Sequence, residues 1–329
     1  MKSIYPLKFS PVYKDKIWGG SKIKTSLGKD FSPLPNCGEV WVLSGVEGNQ
    51  TPIENGFLAG NELNEIVEIY MGDLVGDKIF QKFGNEFPIL IKFIDANDWL
   101  SIQVHPDDKL AMKRHGSLGK TEMWYIMDAE ENAELISGFG KKTDKEGYKE
   151  HLENKTLKEI MNFEKVEKGD VYYIPAGRVH ALGPGILLAE IQQTSDVTYR
   201  IYDWDRIDTS GMTRELHTEE ALDALDFEVK GDYKTKYERK PNQTNKLVES
   251  PYFITNIMQL TKPLKKDYTE LDSFVIYVCP EGGFSLHFEN EKLEVKKGES
   301  VLIPATTLNV EIFPEGENTT ILEVYMIME

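Results

Sequence analysis

The sequence predicts a mainly β chain holding two copies of one barrel or sandwich fold, with a few short helices appended to the first copy. Three observations carry this expectation. Short runs rich in Val, Ile, Tyr and Trp recur along the chain, each bounded by Gly, Pro or Asn. The phrase Val166-Glu-Lys-Gly169-Asp-Val-Tyr-Tyr-Ile-Pro175-Ala returns as Val295-Lys-Lys-Gly298-Glu-Ser-Val-Leu-Ile-Pro304-Ala, a turn glycine, a strand and an exit proline in both places. Finally, 329 residues exceed what one ordinary core organises.

Taken in chain order, strands are expected at Glu39 to Leu43, Ile89 to Ile94, Leu100 to Val104, Met123 to Met127, Val171 to Ile174 and Leu187 to Gln192. In the second copy they are expected at Phe274 to Val278 and Ser300 to Ile303. Each is about the ordinary strand length of ~5 residues. Helical spacing of Leu63, Ile66, Val67 and Tyr70 follows Asn61, a candidate N-cap. Thr143 with Glu146, and Thr156 with Glu159, match the capping-box pattern and predict helices over 144–153 and 157–162. Asp107 to Arg114 reads as a helix stopped by Gly116, and Thr218 opens another. The expected division is a catalytic unit over residues 1–230 and a degenerate second unit over 231–329. Five residues after the repeated proline the first copy carries His180 and the second Asn309, so chemistry is expected in the first.

The charge balance narrows the partners. With 38 Lys and Arg against 55 Asp and Glu the net charge is -17, which repels nucleic acid and acidic lipid. A phosphorylated substrate would need a local cluster of Arg and Lys to overcome that field. Cys37 and Cys279 form no paired motif, so a disulfide scaffold is not expected and a reducing, cytoplasmic setting fits. The N-terminus lacks the apolar core of a signal peptide, and no apolar run approaches the ~20 residues that span a bilayer.

Four residues offer metal-binding chemistry. Gln103 and His105 lie two apart in a strand, so their side chains leave one face. Glu122 immediately precedes a strand and His180 follows one. Two imidazoles, a carboxylate and an amide oxygen suit a catalytic zinc with open positions, or the two-His, one-carboxylate arrangement of non-haem iron. His115, His151, His217 and His287 read as surface or hydrogen-bonded residues. Glu190 shares strand parity with Leu188 and Gln192 and so would point into a barrel.

Five stretches, in order along the chain, resemble the type I phosphomannose isomerases. They are Ile17-Trp18-Gly19-Gly20, Trp99-Leu-Ser-Ile-Gln103-Val-His105-Pro106, Gly119-Lys-Thr-Glu122-Met-Trp-Tyr125, Ile174-Pro-Ala-Gly-Arg-Val-His180-Ala-Leu182, and Glu190 followed by Thr194-Ser-Asp-Val-Thr-Tyr-Arg200. The length is similar to that of the short bacterial subgroup. One departure is Asp196-Val197-Thr198-Tyr199-Arg200, where the family usually has Asp-Asn-Val before the arginine, although the Asp-to-Arg spacing is kept. The resemblance implies two cupin (jelly-roll β-barrel) domains, a zinc ion on Gln103, His105, Glu122 and His180, and interconversion of mannose 6-phosphate and fructose 6-phosphate through a cis-enediol. It also implies a catalytic Arg200, an active-site Lys120, and a Ser101 in contact with phosphate. Glu190 and Lys120 are both candidates for the base. Asp196 would contact substrate or hold Arg200, Arg178 would face phosphate or solvent, and Trp18 would contact sugar or pack. Gly19-Gly20 is a turn and no phosphate loop, since no Gly-Lys-Ser/Thr follows. Competing expectations are another metal cupin, such as an iron dioxygenase, and a non-catalytic sugar-binding regulator.

Overall fold

The computed structural model describes residues 2–207 and 211–328. Three antiparallel sheets carry the expected strands, several of them longer than their apolar runs, while the one expected from Leu100 begins only at Ile102. A six-stranded sheet has the order Val12–Lys14, Glu39–Leu43, Ile89–Ala96, Ile186–Gln193, Glu122–Ala129, Val171–Ile174. Facing it is a five-stranded sheet in the order Tyr199–Tyr202, Ile102–Val104, His180–Leu182, Glu134–Phe139, Met161–Lys165. The eight-stranded third sheet is built mainly from the C-terminal part of the chain, with the long strands Val275–Phe288 and Asn309–Tyr325 at its centre. The N-terminal strand Leu7–Lys8 joins it by pairing with Ser300–Ile303.

Period-two alternation decides which residues go where. In the six-stranded sheet, Val40, Val42, Ile89, Ile91, Phe93, Met123, Tyr125, Leu187, Ala189 and Ile191 face the third sheet, sharing one core with Phe274, Ile276, Leu302 and Leu322. Residues of the opposite parity, including Ile94, Trp124, Ile126 and Leu188, fill the interior of the first barrel with Leu182. The five-stranded sheet turns Ile102, Val104, Ala181, Tyr199 and Ile201 outward onto the helices Lys145–Glu153 and Thr218–Ala224. Its inward parity is left for Gln103, His180 and Arg200. The second barrel is lined by Met258, Tyr277, Phe284, Val301, Ile312 and Ile321.

The sequence repeat is a structural one. Gly169 (φ +89°) and Gly298 (φ +78°) both turn in the left-handed region that favours glycine. Gly169 N–H donates to Ile126 O and Gly298 N–H to Cys279 O, each at 2.8 Å, and the reciprocal bonds from Ile126 and Cys279 to Asp170 and Glu299 are both 2.9 Å. Cys37 and Cys279 are buried free thiols. No helix among the described residues is long and apolar enough to cross a membrane.

Helix starts differ from the expectations. Leu63–Tyr70 is capped by Glu62, whose backbone N–H donates to Glu65 Oε2 at 2.9 Å, whereas Asn61 spends its amide on Leu58 O. Lys145–Glu153 is capped by Asp144, which accepts from Gly147 N–H, so Thr143 lies one residue too early. Thr156 gives no side-chain cap to the segment after it. That segment is the 3₁₀ turn Leu157–Ile160 rather than a helix to 162, because Met161–Lys165 joins the five-stranded sheet. Asp108–His115 behaves as expected, with Asp107 accepting from Leu110 N–H and Gly116 closing it at φ +64°. Thr218–Ala224 begins as expected at Thr218.

Candidate metal centre and active-site cavity

The inward residues of the first barrel converge because their strands are neighbours. His180 lies directly opposite Gln103, and Arg200 opposite Gln103 from the other side. Glu122 and Gln192 are paired across the other sheet, as are Glu190 with both Trp124 and Lys92.

His105, Glu122 and His180 are each 1% exposed, and their ligand atoms lie within 4.8 Å of one another. His105 Nε2 is 3.4 Å from Glu122 Oε2, and His180 Nε2 is 3.4 Å from Glu122 Oε1. Each imidazole is oriented through its other nitrogen: His105 Nδ1 donates to Val197 O at 3.1 Å and His180 Nδ1 to Arg178 O at 2.9 Å. That leaves both Nε2 lone pairs aimed into the cluster, the arrangement that metal-binding histidines adopt. His105 Nε2 and both Glu122 oxygens are buried without a hydrogen-bond partner among the described residues. Buried polar atoms almost always have partners, so three orphans at one point mark a place where a cation fits. Gln103 Nε2 is 3.2 Å from His180 Nε2 and its Oε1 accepts from Ser101 Oγ at 3.3 Å. A half-turn of that amide would present its oxygen to the cluster instead.

Electrostatics agree with a cation site. Burial, then the Lys120 ammonium, push His105 down to about 3, keeping the ring neutral and its lone pair free. Burial raises the Glu122 carboxyl, but Lys120, His105 and His180 outweigh it and hold the group ionised well below the carboxylate range. Lys120 is itself buried, with Nζ 3.5 Å from Glu122 Oε2.

The cluster opens into a cavity of about 280 Å³, whose walls include Trp18, Ser101, Gln103, Lys120, Trp124, His180, Glu190, Asp196 and Arg200. Thus the sequence-predicted residues meet in one place, His105 and Glu122 lying in the buried cluster below it. Trp18 is 4% exposed and belongs to both the core and the wall. Gly19 and Gly20 let it reach there: a Cβ on Gly19 would stand 2.5 Å from Asn36 Oδ1 and Gly38 N, and one on Gly20 2.5 Å from Asp95 Oδ2. Asp196 lines the cavity, but the anchor of Arg200 is Glu215 O, which accepts from Nη1 at 2.8 Å. Arg178 stays off the cavity, donating to Tyr173 O and stacking 5.1 Å from the Tyr233 ring. Of the four histidines set aside, His115 bonds the Tyr199 hydroxyl, His151 Thr156, His217 the Arg200 N–H and His287 Ser285.

Sequence reasoning missed Lys92 and Glu39. Lys92, 5% exposed, is the single charge in the strand stretch Ile89 to Ile94 and shares parity with Ile94; a lone lysine in a buried run was the available signal. Its Nζ lies 3.1 Å from Glu190 Oε1, 4.0 Å from Glu39 Oε2 and 5.1 Å from the Trp41 ring. Burial opposes the Lys92 charge, yet Glu190, Glu39 and Glu122 hold its pKa above the usual value. Glu190 also accepts from the Trp124 indole at 2.9 Å. Burial and then Glu122 push the Glu190 carboxyl above the ordinary range, against the pull of Lys92 and Lys120.

Comparison with known proteins gives one consistent result. A family model for the type I phosphomannose isomerase catalytic domain matches residues 6–159, and one for the mannose-6-phosphate isomerase cupin domain matches residues 243–324. The chain is 34% identical over 306 residues to a mannose-6-phosphate isomerase of Streptococcus mutans, covering 92% of this chain and 93% of that protein. It is 35% identical over 308 residues to the mannose-6-phosphate isomerase ManA of Bacillus subtilis, covering 91% and 93%. A crystal structure of mannose 6-phosphate isomerase from Bacillus subtilis superposes with a TM-score of 0.87 at 33% identity, covering 98% of this chain and all of that one.

Proposed function

Because this chain belongs to the type I phosphomannose isomerase family, we propose that it is a zinc-dependent enzyme interconverting mannose 6-phosphate and fructose 6-phosphate. The observation that carries the reading is the set of three unpartnered buried ligand atoms, His105 Nε2 and both Glu122 oxygens, with His180 Nε2 beside them, placed beneath the cavity that Glu190, Lys120 and Arg200 line. Gln103 would complete the ligand set. When bound, zinc would supply Lewis-acid polarisation of the sugar oxygens.

Aldose–ketose isomerisation removes a proton from one carbon and returns it to its neighbour through a cis-enediol. The group responsible has to hold a proton as readily as release it. Glu190 fits that demand better than Lys120. Its carboxyl is raised by burial and by Glu122 but kept ionisable by Lys92, and Trp124 fixes one oxygen so that Oε1 is the atom that takes and returns the proton. Lys120 lies beside Glu122 and would stabilise negative charge developing on the oxygens of C1 and C2, while Arg200 would meet the substrate's own negative charge as a fixed cation. Trp18, Leu100, Leu182 and Trp124 exclude water from the reacting carbons. We assign catalysis to residues 1–230 and, to residues 231–329, a second barrel with no such ligand set among its described residues, completed by the strand Leu7–Lys8.

The test is a coupled assay of mannose 6-phosphate conversion on protein as purified, stripped with chelator, and reloaded with zinc. Activity that disappears and returns with zinc supports the reading. Restoration by iron with oxygen uptake would overturn it in favour of an oxygenase, and sugar binding without turnover at full metal occupancy in favour of a regulator. Glu190→Gln that keeps normal turnover while Lys120→Ala loses it would move the base to Lys120.

A further inference from the structure

The cavity carries charge of one sign at one end. At the end next to the metal cluster, positive and negative groups match: Lys16 and Lys92 against Glu39 and Glu190, and Lys120 against Glu122. Arg200 and Arg214 also line the cavity, Arg200 on the strand flanking Gln103 on the side away from His180. Arg200 Nε is buried without a hydrogen-bond partner among the described residues. Arg214 is clamped through Nε and one Nη to the two oxygens of Asp203, at 2.7 Å for the Nε bond. The same Asp203, only 6% exposed, takes the Arg206 guanidinium at 2.6 Å. One buried carboxylate therefore gathers two arginines beside a third. Among the described residues the other acids near them, Asp98, Glu215 and the cavity-lining Asp196, are exposed and screened.

The backbone is committed to this arrangement. Directly after Asp203, Trp204 (φ +58°) and Asp205 (φ +54°) both adopt the left-handed region, which Asp tolerates and a bulky Trp side chain does not. The turn is held by the Trp204 indole donating to Leu100 O at 2.7 Å, one residue before Ser101. Strain of this kind persists where the surroundings over-determine it, and such places cluster at ligand clamps.

We propose that Arg214 binds the phosphate of the substrate together with Arg200, and that Asp203 is the positioning residue that aims Arg214 into the cavity. The inference rests on the reading above that the substrate is a hexose phosphate. It fixes the substrate's direction, with phosphate at the arginine wall and C1 and C2 toward His180. Arg200 and His180 lie on strands flanking Gln103, two strand spacings or ~10 Å apart at the backbone. That is the reach of an extended six-carbon chain with its ester. It also answers how a chain of net charge -17 admits a dianion.

The experiment uses the zinc-loaded chain and two readouts: KM and kcat for mannose 6-phosphate, and the inhibition constant of inorganic phosphate. Arg214→Ala should raise KM and the phosphate constant about 10- to 100-fold with kcat nearly unchanged, the effect of losing one or two charge-assisted hydrogen bonds made equally in ground and transition states. Arg214→Lys, which keeps charge but loses the fork to Asp203, should fall between. Asp203→Asn discriminates most sharply. Deleting a negative charge near a dianion would by itself tighten binding, whereas loss of positioning should weaken it in both readouts. Lys236→Ala, an exposed lysine outside the cavity, controls for net charge. Unchanged constants in Arg214→Ala, or tighter binding in Asp203→Asn, overturn the inference while leaving the isomerase reading intact. Phosphate binding that depends on Arg214 in a chain unable to isomerise mannose 6-phosphate would uphold the subsite and overturn the isomerase reading instead.

Discussion

Lys92→Met tests the electrostatic heart of the site. The substitution keeps the length of the side chain and removes its charge. At an effective dielectric near 20, the 3.1 Å contact with Glu190 is worth about 5 kcal/mol and the 4.0 Å contact with Glu39 about 4 kcal/mol. Part of that attraction is offset, because the ammonium no longer has to be desolvated. What remains is the cost of leaving buried carboxylates uncompensated, about 3–5 kcal/mol. Denaturant unfolding of the metal-loaded variant reads that loss directly. A kinetic consequence accompanies it. Without Lys92, Glu190 keeps the Trp124 indole and the Lys120 charge but still faces Glu122, so its carboxyl binds a proton more tightly. A base must be unprotonated to act, so the acid limb of kcat/KM should move to higher pH. Lys92→Arg should recover much of the stability. An unfolding midpoint and an acid limb both equal to wild type in Lys92→Met would refute the argument, showing that the charges are matched by water and not by each other.

Other expectations concern different parts of the molecule. His180→Ala should lose most of its bound metal, measured by elemental analysis, while keeping the far-ultraviolet dichroism of a β protein; a fully loaded variant would remove His180 from the ligand set. Glu39 is raised by burial, but Lys92, Lys16 and the Trp41 indole at 2.8 Å outweigh it and bring it to about 2, against 4.5 for the free group. A depressed carboxylate stabilises the fold above its unfolded pKa and loses that contribution as pH falls through the folded one, so Glu39→Gln should cost about 3 kcal/mol at neutral pH and flatten acid unfolding between about pH 4.5 and about pH 2. Phe274 is fully buried, with its ring 4.7 Å from Phe87 in the core shared by the six-stranded and third sheets. Phe274→Ala should cost about 3–5 kcal/mol in calorimetric or denaturant unfolding, more than an equally exposed-surface change by an order of magnitude.

Much of the fold was legible because it rests on local signals. Strand identity follows from β-branched and aromatic runs, and the duplication from one phrase, Val166 to Ala176, that folds into the same turn and the same backbone bonds as Val295 to Ala305. Helix caps were read one residue out at Asn61 and Thr143, because Glu62 and Asp144 can also accept at a helix start and only the backbone angle selects between neighbours. Residues 157–162 failed as a helix for a tertiary reason: pairing Met161–Lys165 with Glu134–Phe139 satisfies more backbone groups than one further helical turn.

The candidate site divides in the same way. Residue type, strand parity and motif resemblance placed Gln103, His105, Glu122, His180, Glu190, Lys120 and Arg200 together, since each lies on or beside a strand whose inward face can be counted. Lys92, Glu39, Asp203 and Arg214 were not found, because a charge is assigned to solvent unless its counter-charge is known, and theirs are distant in sequence. Lys92 meets Glu190 only when Ile89–Ala96 pairs with Ile186–Gln193, and Arg214 becomes part of the cavity wall only when Asp203 turns inward. The sequence alone determined the strands, their alternation and the duplicated barrel, which depend on neighbours along the chain. Only the tertiary structure decided which charges cancel and which face the cavity, because that depends on distances of a few ångströms between strands far apart in sequence.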